Sequence, residues 1–173
     1  MNVAGDKSAI ERSRKNWMKS DSHIWALVLW LAISFVPAAI GSRFMPDEWY
    51  RQLQKPTWNP PGYIFGPVWT LLYTLMAVAA WLVWKRAGFV GAKLALWLFI
   101  GQLVLNGIWT WIFFGFHKPG AALIEIIMLW GMILVTLFAF WQQSTVAGVL
   151  LIPYLAWVSF ATALTFAIWR LNR

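Results

Sequence analysis

Five long apolar runs, separated by polar breaks, leave this chain few folds to choose from. Ile64–Trp84, Leu94–Phe114, Ala121–Trp141 and Val146–Trp169 are each at least 21 residues long. About 20 predominantly apolar residues carry a helix across the hydrocarbon core of a bilayer. The first run, Ile24–Ile40, is shorter and holds Pro37 near its end. It needs Gly41 and Ser42, or a locally thinner bilayer, to complete its crossing. The expected fold is an all-α membrane protein, a five-transmembrane-helix bundle over residues 23–173 behind a polar, basic tail of residues 1–22. That tail has no apolar stretch ahead of a small-residue cleavage site, so no cleaved signal peptide is expected.

With 61% hydrophobic and 12% charged residues, the chain is not an ordinary soluble domain. Its 15 tryptophans suit the membrane interface, where the ring is buried and the N–H stays wet. Trp25, Trp81, Trp84, Trp97, Trp111, Trp141 and Trp169 fall near segment ends as such belts. Trp130 and Trp157 fall mid-span and need another explanation. The net charge of +8 comes from cations in the tail and at span ends, the ordinary membrane pattern, so no nucleic-acid partner is expected. Without cysteine there is no thiolate chemistry, and His23 and His117 stand too far apart to suggest a metal site. The lipid bilayer is the expected surrounding, a bacterial cell membrane before a bacterial or mitochondrial outer membrane.

Three connections are short, Lys85–Lys93, Gly115–Gly120 and Gln142–Thr145, which makes sequential helices antiparallel neighbours. The long one, Gly41–Tyr63, contains a brief helix over Pro46–Lys55 with its acids first and its cations later, as the helix dipole favours. Trp49 and Leu53 share a face of it. A connection of this length reads as a lid over the bundle mouth, with Arg43, Arg51 and Lys55 as rim cations. Eight Lys and Arg fall on the N-tail side against six on the lid side, which places the N-tail in the cytoplasm by a small margin.

The lid runs into Lys55–Trp69, where four prolines and two tryptophans form a stiff aromatic collar before the second span. Polar residues at membrane depth are costly and face the bundle interior. On the third span Gln102, Asn106, Trp109 and Phe113 share one stripe. On the fifth, Tyr154, Trp157, Ala161 and Leu164 form another, and Trp69, Tyr73 and Ala77 recur at spacings of four on the second. Each stripe reads either as a ligand pocket, with Asn106 supplying a hydrogen bond, or as interhelical packing. Glu125 is the one acid well inside a span. It reads as snorkelling towards the surface or meeting Gln102 or Asn106.

These residues carry a resemblance. Gly41-Ser42-Arg43-Phe44, Trp49-Tyr50, the Lys55–Trp69 collar, Gly101–Asn106 and Pro153–Trp157 resemble, in order, the signature of the TspO/MBR family of tryptophan-rich sensory and translocator proteins. The match covers about Ile24 to Arg170. It implies a five-helix bundle, commonly a homodimer, whose pocket under the first loop takes porphyrins, isoquinoline- and benzodiazepine-type drugs and, in animal members, cholesterol. Trp58, Asn106, Trp109, Trp157, Ala161 and Leu164 match pocket positions, and Trp58 and Trp157 match tryptophans credited with light-dependent breakdown of protoporphyrin IX. Two positions depart from the pattern. Phe166 stands where the sterol motif wants Tyr, so sterol binding is not expected. Ala121 replaces a pocket Trp of animal members, which opens the pocket and argues against tight binding of the synthetic drugs.

The resemblance and the residues together point to a receptor or sensor that binds a porphyrin as ligand and requires no cofactor. Ligand-binding residues are then Trp58, Trp69, Tyr73, Asn106, Trp109, Trp157, Ala161 and Leu164, with Trp58 and Trp157 as candidates for photochemistry. A porphyrin transporter is the alternative, although no inverted repeat supports it. A structural membrane protein whose aromatics only pack is the third.

Overall fold

The computed structural model describes residues 23–44 and 47–173, so the tail of residues 1–22 and Pro46 of the expected lid helix lie outside the described residues. Among the described residues there are six α-helices: α1 His23–Gly41, α2 Glu48–Gln52, α3 Gly62–Gly91, α4 Lys93–Thr110, α5 Pro119–Gln143 and α6 Thr145–Leu171. All but α2 are long and apolar enough to span a bilayer, α4 together with the π-helical turn Trp111–Gly115 that continues it. The chain is an integral, multi-pass membrane protein.

The helix ends follow local chemistry. Asp47 Oδ1 accepts the Tyr50 N–H at 3.1 Å and starts α2. Pro119 opens α5, where its missing N–H costs nothing. Ser144 is extended and accepts the Ala147 N–H at 3.4 Å, so α5 and α6 turn on a single residue. Between the second and third spans the expected connection Lys85–Lys93 is almost absent. The helix continues through Lys85, Arg86 and Ala87 to Gly91, broken only at Gly88, whose φ of 65° is left-handed. Nothing in that segment other than glycine opposes helix, and Phe89 and Val90 extend the apolar pattern.

Side-chain pairs fix the order of the bundle. Phe35 on α1 lies 5.5 Å from Tyr73 on α3, and Trp69 on α3 lies 6.2 Å from Tyr154 on α6. Trp130 on α5 donates to Ser159 on α6 at 2.8 Å, which accounts for one mid-span tryptophan. Phe99 on α4 stacks on Phe140 of α5 at 5.6 Å, and Trp30 on α1 meets Phe99 at 5.9 Å. Around the bundle the order is therefore α1, α3, α6, α5, α4. Away from α2 the interior is close-packed, with Ala79, Ala80, Val83, Leu96 and Ala147 fully buried. Small residues let backbones approach, which holds helices together where lipid offers no hydrophobic drive. At the α2 end the interior is aromatic.

Candidate functional site under the α2 lid

The long connection closes over the bundle as the sequence suggests. Trp49, Tyr50 and Leu53 pack on a cluster of Phe113, Ala122, Leu164 and Ile168, drawn from the turn after α4, from α5 and from α6. Trp49 meets Phe113 edge-on at 5.8 Å and stacks on His117 at 4.3 Å. His117 has a left-handed φ of 55°, and its Nε2 lies 3.0 Å from Asp47 Oδ2. At the other end of the lid, Asn172 holds both backbone groups of Gln54: its Nδ2 donates to the carbonyl and its Oδ1 accepts the N–H, each at 2.9 Å. The lid is thus tied to the α4–α5 connection and to the end of α6. Neither tie shows in the sequence, because both bridge residues remote along the chain.

The rim cations differ in their engagement. Arg51 pairs with Glu48 at 2.6 Å in solvent. Lys55 donates to the Leu53 carbonyl at 3.1 Å and lies 4.5 Å from the Tyr50 ring centre. Burial pushes the Tyr50 hydroxyl above its ordinary pKa, with a smaller opposing effect from Asn59. Arg43 is exposed at the mouth.

Below the lid, aromatic rings form two connected rows. In one, Trp58, which is 47% exposed, meets Phe160 at 5.8 Å, Phe160 meets Trp157 at 5.5 Å, and Trp157 meets Phe65 at 5.8 Å. Trp58 and Trp157 therefore lie on either side of Phe160 rather than facing each other. Phe160 and Phe65 were missed from the sequence, although Phe160 follows Trp157 by three and shares its face. In the second row, Trp109 stacks on Phe113 at 5.2 Å. The π-helical turn at Trp111–Gly115 carries Phe113 inward to 2% exposure beneath Trp49.

A polar layer lies deeper. Tyr73 donates to Asn106 Oδ1 at 2.6 Å, and Asn106 Nδ2 donates to the Tyr154 oxygen at 3.3 Å. Trp69 stacks on Tyr73 at 5.2 Å and closes the layer. Asn106 thus joins α3, α4 and α6, and its amide is already engaged at both ends. Ala161 and Leu164 sit where the stripe on α6 puts them, Leu164 in the lid cluster and Ala161 against the main core. Glu125 neither snorkels nor meets Gln102 or Asn106. It is 3% exposed, and both its oxygens lack a hydrogen-bond partner among the described residues. The Trp109 and Trp157 indole nitrogens and Gln102 Oε1 are also unpartnered. Each such buried group costs about 1–3 kcal/mol, and of these Glu125 and Trp109 lie towards the lid end.

Known proteins give this geometry a lineage. The TspO/MBR family model matches residues 24–170. A tryptophan-rich sensory protein of Cereibacter sphaeroides is 44% identical over 149 residues, covering 86% of this chain and 92% of the relative. The human translocator protein is 44% identical over 138 residues, covering 77% and 82%. A tryptophan-rich protein TspO of Chlorobaculum tepidum is 40% identical over 159 residues, covering 88% and 99%. With nearly every helix inside the matched span, this chain belongs to the TspO/MBR family.

Proposed function

We propose that this protein is a membrane receptor or sensor for planar tetrapyrroles of the protoporphyrin IX type, bound among the aromatic rows under α2. The observation that carries this reading is the pair of aromatic rows meeting beneath a lid tied at both ends. Flat apolar walls suit a macrocycle, and Arg43 at the mouth suits its propionates. Two of the relatives are named for sensing and translocation, roles that also require a ligand. Binding proceeds with opening of the lid, since Trp49 and Leu53 fill the space above Phe113. The test is titration of the purified protein with protoporphyrin IX. Saturable quenching of tryptophan fluorescence and a shift of the Soret band are expected, and their absence ends this reading.

The same site supports photochemistry. A porphyrin excited by light passes its energy to dissolved dioxygen, and the singlet dioxygen formed adds to the macrocycle and oxidises it. Alternatively it draws an electron from a contacting indole, and the porphyrin radical anion passes that electron to dioxygen as superoxide while the indole is left oxidised. Trp58 and Trp157, on either side of Phe160, are the candidate contacts. Protein-dependent loss of porphyrin in light is expected to fall at least several-fold in Trp58→Phe and Trp157→Phe, with binding kept. Trp141→Phe, on the far side of the bundle, is the control. Equal bleaching in all forms would leave the protein a binder alone. Assembly as a homodimer, the family habit, completes the proposal and is read by light scattering of the detergent-solubilised protein.

A further inference from the structure

Glu125 has no role in the site as built so far. It lies on the buried stripe of α5 with Ala122, Ile126 and Leu129, so its side chain enters the bundle. Contacts along the helix pairs set its depth. Gly120 lies against Trp169 and Trp130 bonds Ser159, an antiparallel register that sets Glu125 opposite Leu164. Gly101 lies against Met132, which sets Glu125 level with Ile108 and Trp109. The carboxyl is therefore one helical turn below Ala122, level with Leu164 of the lid cluster and with the Trp109 stack. The cations of the spanning helices, Lys85 and Arg86 in the last two turns of α3, Lys93 at the start of α4 and Arg170 at the end of α6, are all away from that level. Among the described residues neither carboxyl oxygen has a partner, and the indole N–H groups of Trp109 and Trp157 have none either.

An ionisable side chain at membrane depth marks a functional site when it faces the interior without a structural partner. Here the carboxyl and the Trp109 N–H lie at one level beneath the lid, and neither has a partner among the described residues. The bland alternative, a carboxyl that cements helices, would show a bond to a neighbouring helix. We propose that Glu125 is the polar anchor of the site and selects flat nitrogen heterocycles that present an N–H to its carboxyl. This rests on the site taking a planar ligand, as proposed above. Aromatic walls fix the shape of that ligand, and a lone acceptor carboxyl fixes the chemistry of its edge.

The experiment uses two planar tricycles that differ in one group, carbazole with a ring N–H and dibenzofuran with a ring oxygen. Each is titrated against the purified protein by tryptophan fluorescence and by displacement of protoporphyrin IX. The wild type is expected to prefer carbazole about tenfold, which corresponds to about 1.4 kcal/mol. Glu125→Leu is expected to abolish the preference, and Glu125→Gln, which keeps a carbonyl acceptor, to retain part of it. Glu125→Leu removes unpartnered buried atoms and is expected to raise the thermal midpoint, so its loss of preference is not misfolding. Equal affinities in the wild type, or a preference that survives in Glu125→Leu, overturn the anchor while binding of protoporphyrin IX upholds the site. Absence of saturable binding by every probe overturns both.

Discussion

Asn106 shows how one amide holds three helices in a solvent where apolar contact does little. Its oxygen takes the Tyr73 proton and its nitrogen reaches Tyr154, 48 positions away, inside a layer where Tyr73 is 4% and Tyr154 0% exposed. Asn106→Leu leaves two buried hydroxyls without their partner, a loss of about 2–6 kcal/mol at the usual penalty for each. The thermal midpoint in detergent should fall clearly, and an unchanged midpoint would show that the layer relaxes. Glycines give a graded set. A β-carbon at Gly148 would lie 3.0 Å from the Trp141 Cα across the one-residue turn, so Gly148→Ala forces backbone apart. At Gly120 the obstacle is the tip of the Trp169 ring at 2.8 Å, which can swing. At Gly131 nothing lies within 4 Å. Midpoints should therefore rank Gly148→Ala lowest, then Gly120→Ala, with Gly131→Ala at or above the wild type, since alanine is the better helix former.

The lid element is five residues long and has no helical stability of its own, so its ties decide whether it stays closed. Asp47 is one of them. The Tyr50 N–H holds its carboxyl below the usual carboxylate range, with desolvation opposing it and His117 adding a smaller pull. A carboxyl whose folded pKa is lowered contributes stability that is present above its unfolded value of about 4 and lost as pH falls through the folded one. Hydrogen exchange of the Glu48–Gln52 amides should therefore quicken relative to the core below about pH 4. The exposed Glu48–Arg51 pair weakens in the same range but contributes little. Asp47→Asn keeps a capping side chain and should flatten the response, and an unchanged acid response in that variant would point to another group. Asn172→Ala removes the other tie and should quicken exchange near Gln54 at all pH values. The lid itself was legible, because an acid-first helix with Trp49 and Leu53 on one face can only dock apolar side down. The ties and the π turn at Trp111–Gly115 were not, since the turn's residues read as unbroken α-helix and His117 and Asn172 meet partners far along the chain.

At the scale of the molecule, the five spans were legible because hydrocarbon leaves a backbone no choice but helix once the apolar runs are long enough. The inward stripes were legible as well, from Gln102 and Asn106 to Tyr154, because polar groups avoid lipid. Which ring meets which was not, and Phe160 between Trp58 and Trp157 is the clearest case. Topology follows from the same packing. The His23 carbonyl at the start of α1 accepts from Trp81 in the second half of α3, while Gly41 at its other end lies against Thr110 at the end of α4. So α1, α4 and α6 run one way, α3 and α5 the other, and the lid lies across the membrane from the α5–α6 turn. By the small excess of cations on the N-tail side, the expected orientation puts that turn in the cytoplasm. The chain has no cysteine, so single cysteines report on a clean background. Gln52→Cys on the lid should react with an impermeant maleimide in intact bacterial cells. Gln142→Cys, exposed at the α5–α6 turn, should react only after the cells are opened. The reverse pattern would invert the orientation, and reaction of both from outside would refute five crossings.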